Sequence, residues 1–158
     1  MYKKTITFLL LLLGISVAAL CQPNKREGIK SRSNIAKKKT TVATHHVVIQ
    51  VTNSDTAAWK GLMNNIKHLK ETWGDQVQIE VVAHGPGIEL LMAAKTTQQQ
   101  KITEYKKAGV LFTACENSMR QRNITKADII PEADFVPSGV VEVIIKQEQG
   151  WSYLKSGF

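Results

Sequence analysis

Apolar residues in this chain fall into short β-branched runs separated by longer, amphipathic stretches. Val47-Val48-Ile49-Gln50-Val51 is the first run. It does not alternate with polar residues, so it predicts a strand buried on both faces. Thr52-Asn53-Ser54-Asp55 follows, a cluster of turn and N-cap residue types. Ala58, Leu62, Ile66, Leu69 and Trp73 then recur at spacings of four and three, one apolar stripe on a helix that Gly74 ends. Val77, Ile79, Val81 and Val82 predict a second strand. His84-Gly85-Pro86-Gly87 leads from it into Ile88-Glu89-Leu90-Leu91-Met92, with a proline suited to a first helical turn.

The polar stretch from Thr97 to Ala108 carries Ile102 and Tyr105 and predicts a surface helix. Val110-Leu111-Phe112 is the third strand. Thr125 and Asp128 have the spacing of a helix start before Pro131. Phe135-Val136 and Trp151 to Leu154 supply a fourth and a fifth strand. The segment Val140 to Ile145 favours strand by propensity. Ser138 as N-cap, the pairs Val140/Ile144 and Val141/Ile145, and Gly150 as terminator favour helix. Strands alternating with helices predict a parallel sheet, which needs crossovers on its faces, and this argument selects the helix.

The first residues have another character. Lys3 and Lys4 precede an apolar stretch, Ile6 to Leu20, that is shorter than a bilayer span requires. Ala19-Leu20-Cys21 has the small-x-small form of a signal-peptidase site, so residues 1–21 are expected to be a signal peptide cleaved before Gln22. Lipid anchoring at Cys21 is the alternative, but a lipobox places a small residue before the cysteine, and Leu20 is large. The expected destination is outside the cytoplasm, in the periplasm, with no transmembrane segment in the mature chain.

The formal charge of +8 invites a nucleic-acid reading until it is mapped. Residues 22–44 hold seven basic side chains against Glu27 alone, whereas residues 45–158 hold twelve basic and twelve acidic. The basic stretch lacks the apolar residues for a core and is expected to be a disordered tether. The balanced remainder, one domain in length, has no net field to attract phosphate backbones. No nucleic-acid partner is therefore expected.

Removal of the signal leaves Cys115 as the one thiol. It stands where Val110-Leu111-Phe112 gives way to a polar, helix-like stretch. A cysteine there lies near unpaired backbone N–H groups that favour thiolate. Ligands of parallel sheets collect beyond the carboxyl ends of the strands. Three such ends are recognisable: Asn53 and Asp55, His84 to Gly87, and Cys115 to Asn117.

Cys115 is the candidate nucleophile, or else a small apolar residue at a strand end. His84 is a candidate proton donor or orienting group, or else a turn cap. Gly85 and Gly87 allow close backbone approach to a substrate or anion, and equally serve plain strand-to-helix geometry. Asn53 and Asn117 are candidate substrate contacts, or satisfy the turns they occupy. Glu116, adjacent to the cysteine, would oppose a thiolate if it folded over the sulfur. No metal site is expected: His45 and His46 point to opposite faces of a strand, and His84 and Cys115 are only two ligands. No phosphate loop or dinucleotide fingerprint is present, so no cofactor is expected.

Three stretches, Val81 to Leu91 (VVAHGPGIELL), Gly109 to Met119 (GVLFTACENSM) and Val136 to Glu142 (VPSGVVE), together resemble the DsrE/DsrF-like sulfur-relay family across residues 45–158. The resemblance implies a three-layer α/β/α sandwich around a mainly parallel five-stranded sheet. It also implies homo-oligomers, as trimers or hexamers. In relay members a cysteine carries sulfur as a persulfide, received from a donor protein or passed to an acceptor protein. That role falls on Cys115 with His84 beside it; the other class of function is an oligomeric module that binds a small anion or a partner around an inert cysteine.

Overall fold

A five-stranded sheet organises residues 44–157, the part of the chain that the computed structural model describes. Its strands are β1 (His45–Val51), β2 (Val77–Ala83), β3 (Leu111–Cys115), β4 (Asp134–Val136) and β5 (Ser152–Ser156). They lie in the order β4-β3-β2-β1-β5, and every pairing is parallel. The expected α/β class with helices flanking the sheet is thus observed, with a sheet parallel throughout. The expected signal peptide, Cys21 and nearly all of the expected basic tether lie outside the described residues.

The helices are α1 (Thr56–Trp73), α2 (Gln99–Lys107), α3 (Glu116–Gln121) and α4 (Gly139–Glu148). Asp55 caps α1, its Oδ1 accepting from the Ala57 N–H at 2.8 Å. The buried stripe of α1 is Trp59, Leu62, Met63 and Ile66. Each such side chain contributes about 1.5–3 kcal/mol on burial. They pack with Val47, Ile49, Val51, Ile79, Val81, Ala83, Phe112 and Ala114 from one face of the sheet, together with Ile102 of α2 and Met119 of α3.

The opposite face is thinner. Val48 and Val82 meet Val143 of α4, with Trp151 against them. The segment with conflicting signals is therefore a helix, as the crossover argument requires. Ser138 holds the N-cap position without a capping bond from its side chain. Trp151 packs on this small cluster and its N–H donates back to the Lys146 carbonyl at 3.0 Å, so the last strand begins after it, at Ser152.

Two local expectations differ from what forms. Residues Gly85–Leu91 wind as a 3-10 helix. Ile88 and Leu91 are both fully buried, and their spacing of three is the repeat of that helix. Gly87 is what allows the turn to lie so close to β1, since a Cβ there would come within 2.2 Å of the Val51 carbonyl oxygen. Thr125 and Asp128 do form a reciprocal capping box, but it opens only a 3-10 turn, Lys126–Asp128.

One ion pair ties α4 to the sheet. Glu80, in the middle of β2, is buried, and its Oε1 accepts from the Thr113 hydroxyl at 2.8 Å. Its other oxygen meets Lys146 Nζ at 2.8 Å, and the same ammonium lies 4.5 Å from the centre of the Trp151 ring. Burial pushes the Lys146 ammonium down, but the Glu80 and Glu142 carboxylates outweigh this and hold it above its ordinary value. Lys146→Met leaves Glu80 charged and buried without its counter-ion. We expect a loss of about 3 kcal/mol in urea unfolding, and an unchanged midpoint would show that the pair does not hold α4 down.

Candidate functional site

The register brings two distant residues together. Ala83 of β2 pairs with Ala114 of β3. The next residue on each strand is His84 and Cys115, so they emerge side by side at the carboxyl rim. Alternation along the strands turns both toward the face that α4 covers, with Val82 and Thr113 two positions before them.

The close approach of α4 closes the site. A Cβ built on Gly139 would lie 2.9 Å from His84 Cβ, 3.2 Å from Cys115 Cβ and 3.2 Å from Val82 Cγ1. His84 and Cys115 therefore flank one point, and only a residue without a side chain fits against them. Cys115 itself is the N-cap of α3, and its Sγ accepts from the Ser118 N–H at 3.4 Å.

Burial alone pushes the Cys115 thiol up. The Ser118 hydroxyl and the backbone N–H groups of Gly139, Ser118 and Asn117 outweigh that and hold it below its ordinary value. Asn117 acts least of these, and its N–H also donates to the Pro137 carbonyl at 3.1 Å. Ser118 has a second bond: its Oγ accepts from the Gly85 N–H at 2.7 Å. The hydroxyl thus links the turn after β2 to the sulfur. Glu116 does not fold over the sulfur, for its carboxylate pairs with Lys126 Nζ at 3.0 Å.

His84 is half-buried, and burial pushes its imidazole down. The neutral ring is thereby favoured over the cation. Its Nε2 lies 2.7 Å from Gln50 Nε2.

Gly85 reaches the site through its N–H. Gly87 is buried under the rim, packed on Val51, and its N–H donates to the His84 carbonyl at 3.0 Å. Asn117 is exposed and accepts from Arg120 at 3.2 Å. Asn53 follows β1, two strands from Cys115, where its side chain accepts from the Asp55 N–H at 3.2 Å and its carbonyl from Trp59 Nε1 at 3.1 Å. His45 stacks on Trp73 and His46 lies against Trp151, so the two histidines do point to opposite faces.

Ser118, Gly139 and Gln50 were not singled out by sequence. Ser118 had a readable signal, because it stands three residues after the cysteine, the spacing of an N-cap and the backbone N–H it accepts from. Gln50 had none, since its role depends on strand register.

A family model described as DsrE/DsrF-like matches residues 37–156. The chain belongs to the DsrE/DsrF-like family. Among solved structures it is similar to MTH1491, a protein of unknown function from Methanobacterium thermoautotrophicum. The two are 29% identical with a TM-score of 0.67, over 70% of this chain and 98% of that one. BT1422 from Bacteroides thetaiotaomicron, also of unknown function, shares the fold at 18% identity and a TM-score of 0.54, over 70% of this chain and 93% of that one. No curated protein matches.

The donors around this DsrE/DsrF-like cysteine make a direct prediction. The alkylation rate of native protein by iodoacetamide should rise with a midpoint below the roughly 8.5 of a free thiol. The sign follows from the lowered thiol: ionised Cys115 gains its hydrogen bonds on folding, and that stabilisation is lost as pH falls through the lowered value. Ser118→Ala should move the midpoint up by about one unit, the worth of a hydrogen bond to a charged group. A midpoint unmoved by the substitution would remove Ser118 from the site.

Proposed function

We propose that this chain is a sulfur-relay protein working outside the cytoplasm, a carrier or sulfurtransferase that holds sulfane sulfur as a persulfide on Cys115. The observation that carries this reading is a buried thiol held below its ordinary value by surrounding donors. A thiolate is the species that attacks a sulfane sulfur. Membership of the DsrE/DsrF-like family supports the same chemistry. In the step, Cys115 Sγ attacks the outer sulfur of a donor persulfide, R–S–SH. A new S–S bond forms to Cys115, the old one breaks, and its electron pair leaves on R–S⁻, which takes a proton from water. The transferred sulfur keeps its own proton, and no outside oxidant or reductant is needed.

Mature protein recovered from the periplasm should begin at Gln22. After incubation with a low-molecular-weight persulfide it should gain the mass of one sulfur. Cys115→Ser should gain none. Wild-type protein without the mass gain would overturn the relay reading.

One observation favours a second reading. Cys115 is only 3% exposed. A cysteine so enclosed suits a structural role in a module that binds a small anion or a partner protein. Failure of the sulfur gain, with slow alkylation of the native thiol, would select it.

The proposal includes self-assembly into a trimer or hexamer. On α4, Val140, Val141, Ile144 and Ile145 are 50%, 51%, 48% and 38% exposed. Spaced by one and four residues, they form a continuous apolar stripe, and a short chain gains stability by covering such a stripe. Sedimentation equilibrium should show an oligomer for the wild type and a smaller, folded species for V140K/I144K. A monomeric wild type at micromolar concentration would overturn the assembly.

A further inference from the structure

We propose that Gln50 and Tyr153 are positioning residues that fix the tautomer of His84, leaving its proton on Nδ1 for use at Cys115. The geometry spans three strands on the α4 face of the sheet. Gln50 on β1 and Val82 on β2 are register partners, so Gln50 lies diagonally across from His84. Lys155 on β5 pairs with Gln50, and Tyr153 precedes it by two positions on the same face. The Tyr153 hydroxyl donates to Gln50 Oε1, and Gln50 Nε2 lies 2.7 Å from His84 Nε2.

The direction of this chain follows from its outer end. A phenol O–H is a strong donor whose oxygen is a weak acceptor, so Tyr153 takes the amide oxygen of Gln50. The amide N–H₂ is then turned to the ring. A neutral imidazole has one donor and one acceptor, so a donor facing Nε2 leaves Nε2 bare and the proton on Nδ1. Of the two ring nitrogens, Nδ1 is the one closer to Cβ, and His84 Cβ flanks the same point as Cys115 Cβ.

This role rests on the relay reading of Cys115. In the transfer step the charge develops on the leaving R–S⁻. A neutral Nδ1–H cannot give up its proton to that thiolate, but it can donate a hydrogen bond as the charge appears. Tyr153 is 42% exposed, so its far side meets solvent while its hydroxyl stays in the chain.

The test reads the tautomer itself. Long-range ¹⁵N–¹H correlation spectra of the full chain distinguish a bare from a protonated ring nitrogen. Wild-type His84 should show a bare Nε2 and a protonated Nδ1. Gln50→Glu presents a carboxylate that can only accept, so at a pH high enough to keep the ring neutral it should move the proton to Nε2. Tyr153→Phe removes one hydroxyl from a partly exposed ring, which keeps the fold intact, and should mix the two tautomers. The rate of sulfur gain should fall roughly tenfold in Gln50→Glu, the loss of one hydrogen bond to a charged group.

A protonated Nε2 in the wild type, or a tautomer indifferent to Gln50→Glu, overturns the proposal whether or not Cys115 takes up sulfur. The expected tautomers with a sulfur-gain rate unchanged in Gln50→Glu also overturn it, because the proton on Nδ1 is then not used. If wild-type protein gains no sulfur at all, the relay reading falls and takes the use of Nδ1 with it; the tautomer shift then shows positioning of the ring alone.

Discussion

The missing side chain at Gly139 is the constraint on which the site depends. α4 crosses the sheet where β2 and β3 end, and it can do so only because nothing projects from its first residue. Any Cβ there would press on His84, Cys115 and Val82 together. The same closeness that excludes a side chain brings the Gly139 N–H to the sulfur. Packing and electrostatics are thus one arrangement: the helix seals the thiol from water and supplies a donor in place of that water. Burial without the donors would favour the protonated Cys115 thiol.

The two faces of the sheet divide the work. The α1 face carries most of the core, with Trp59, Leu62, Ile66 and Phe112 fully buried. The α4 face carries three small apolar contacts, the Glu80–Lys146 pair and the site. A face held largely by directional contacts specifies geometry more narrowly than an apolar one, since each donor must meet its acceptor. Lys146 fixes the last turn of α4 over the middle of the sheet, and Gly139 fixes the first turn over its rim. The apolar side chains left outward on α4 show that this layer is one helix thick. A partner helix there would rest directly behind the wall of the site.

His84 gains its meaning from its neighbours. A histidine at the end of a strand is commonplace, and burial alone would make it a neutral cap. Register sets it beside Cys115, and the diagonal bond to Gln50 gives its ring a direction. Ser118 acts in the same manner for the sulfur, joining the turn after β2 to the first turn of α3. These contacts connect residues more than thirty positions apart, and each follows from pairing β1, β2 and β3 in parallel.

Much of this was legible in the chain itself. The β-branched runs determined the strands, because a run without alternation suits only a sheet covered on both faces. The conflict at Val140 to Ile145 was resolved by topology, since parallel neighbours require a crossover. Cys115 and His84 were readable as strand-end residues, and the three motifs carried the family. What the sequence could not determine is which rim residues meet. Asn53, His84 and Cys115 all end strands, yet only His84 and Cys115 meet, because Asn53 is held on the α1 side of the sheet by Asp55 and Trp59. Gly87 reads like a ligand-binding glycine until its contact with the Val51 carbonyl is known. Ser118, Gly139, Gln50 and Tyr153 acquire their roles from distances of a few ångströms across strands and helices, and such distances are fixed by packing, which no local pattern of residues records.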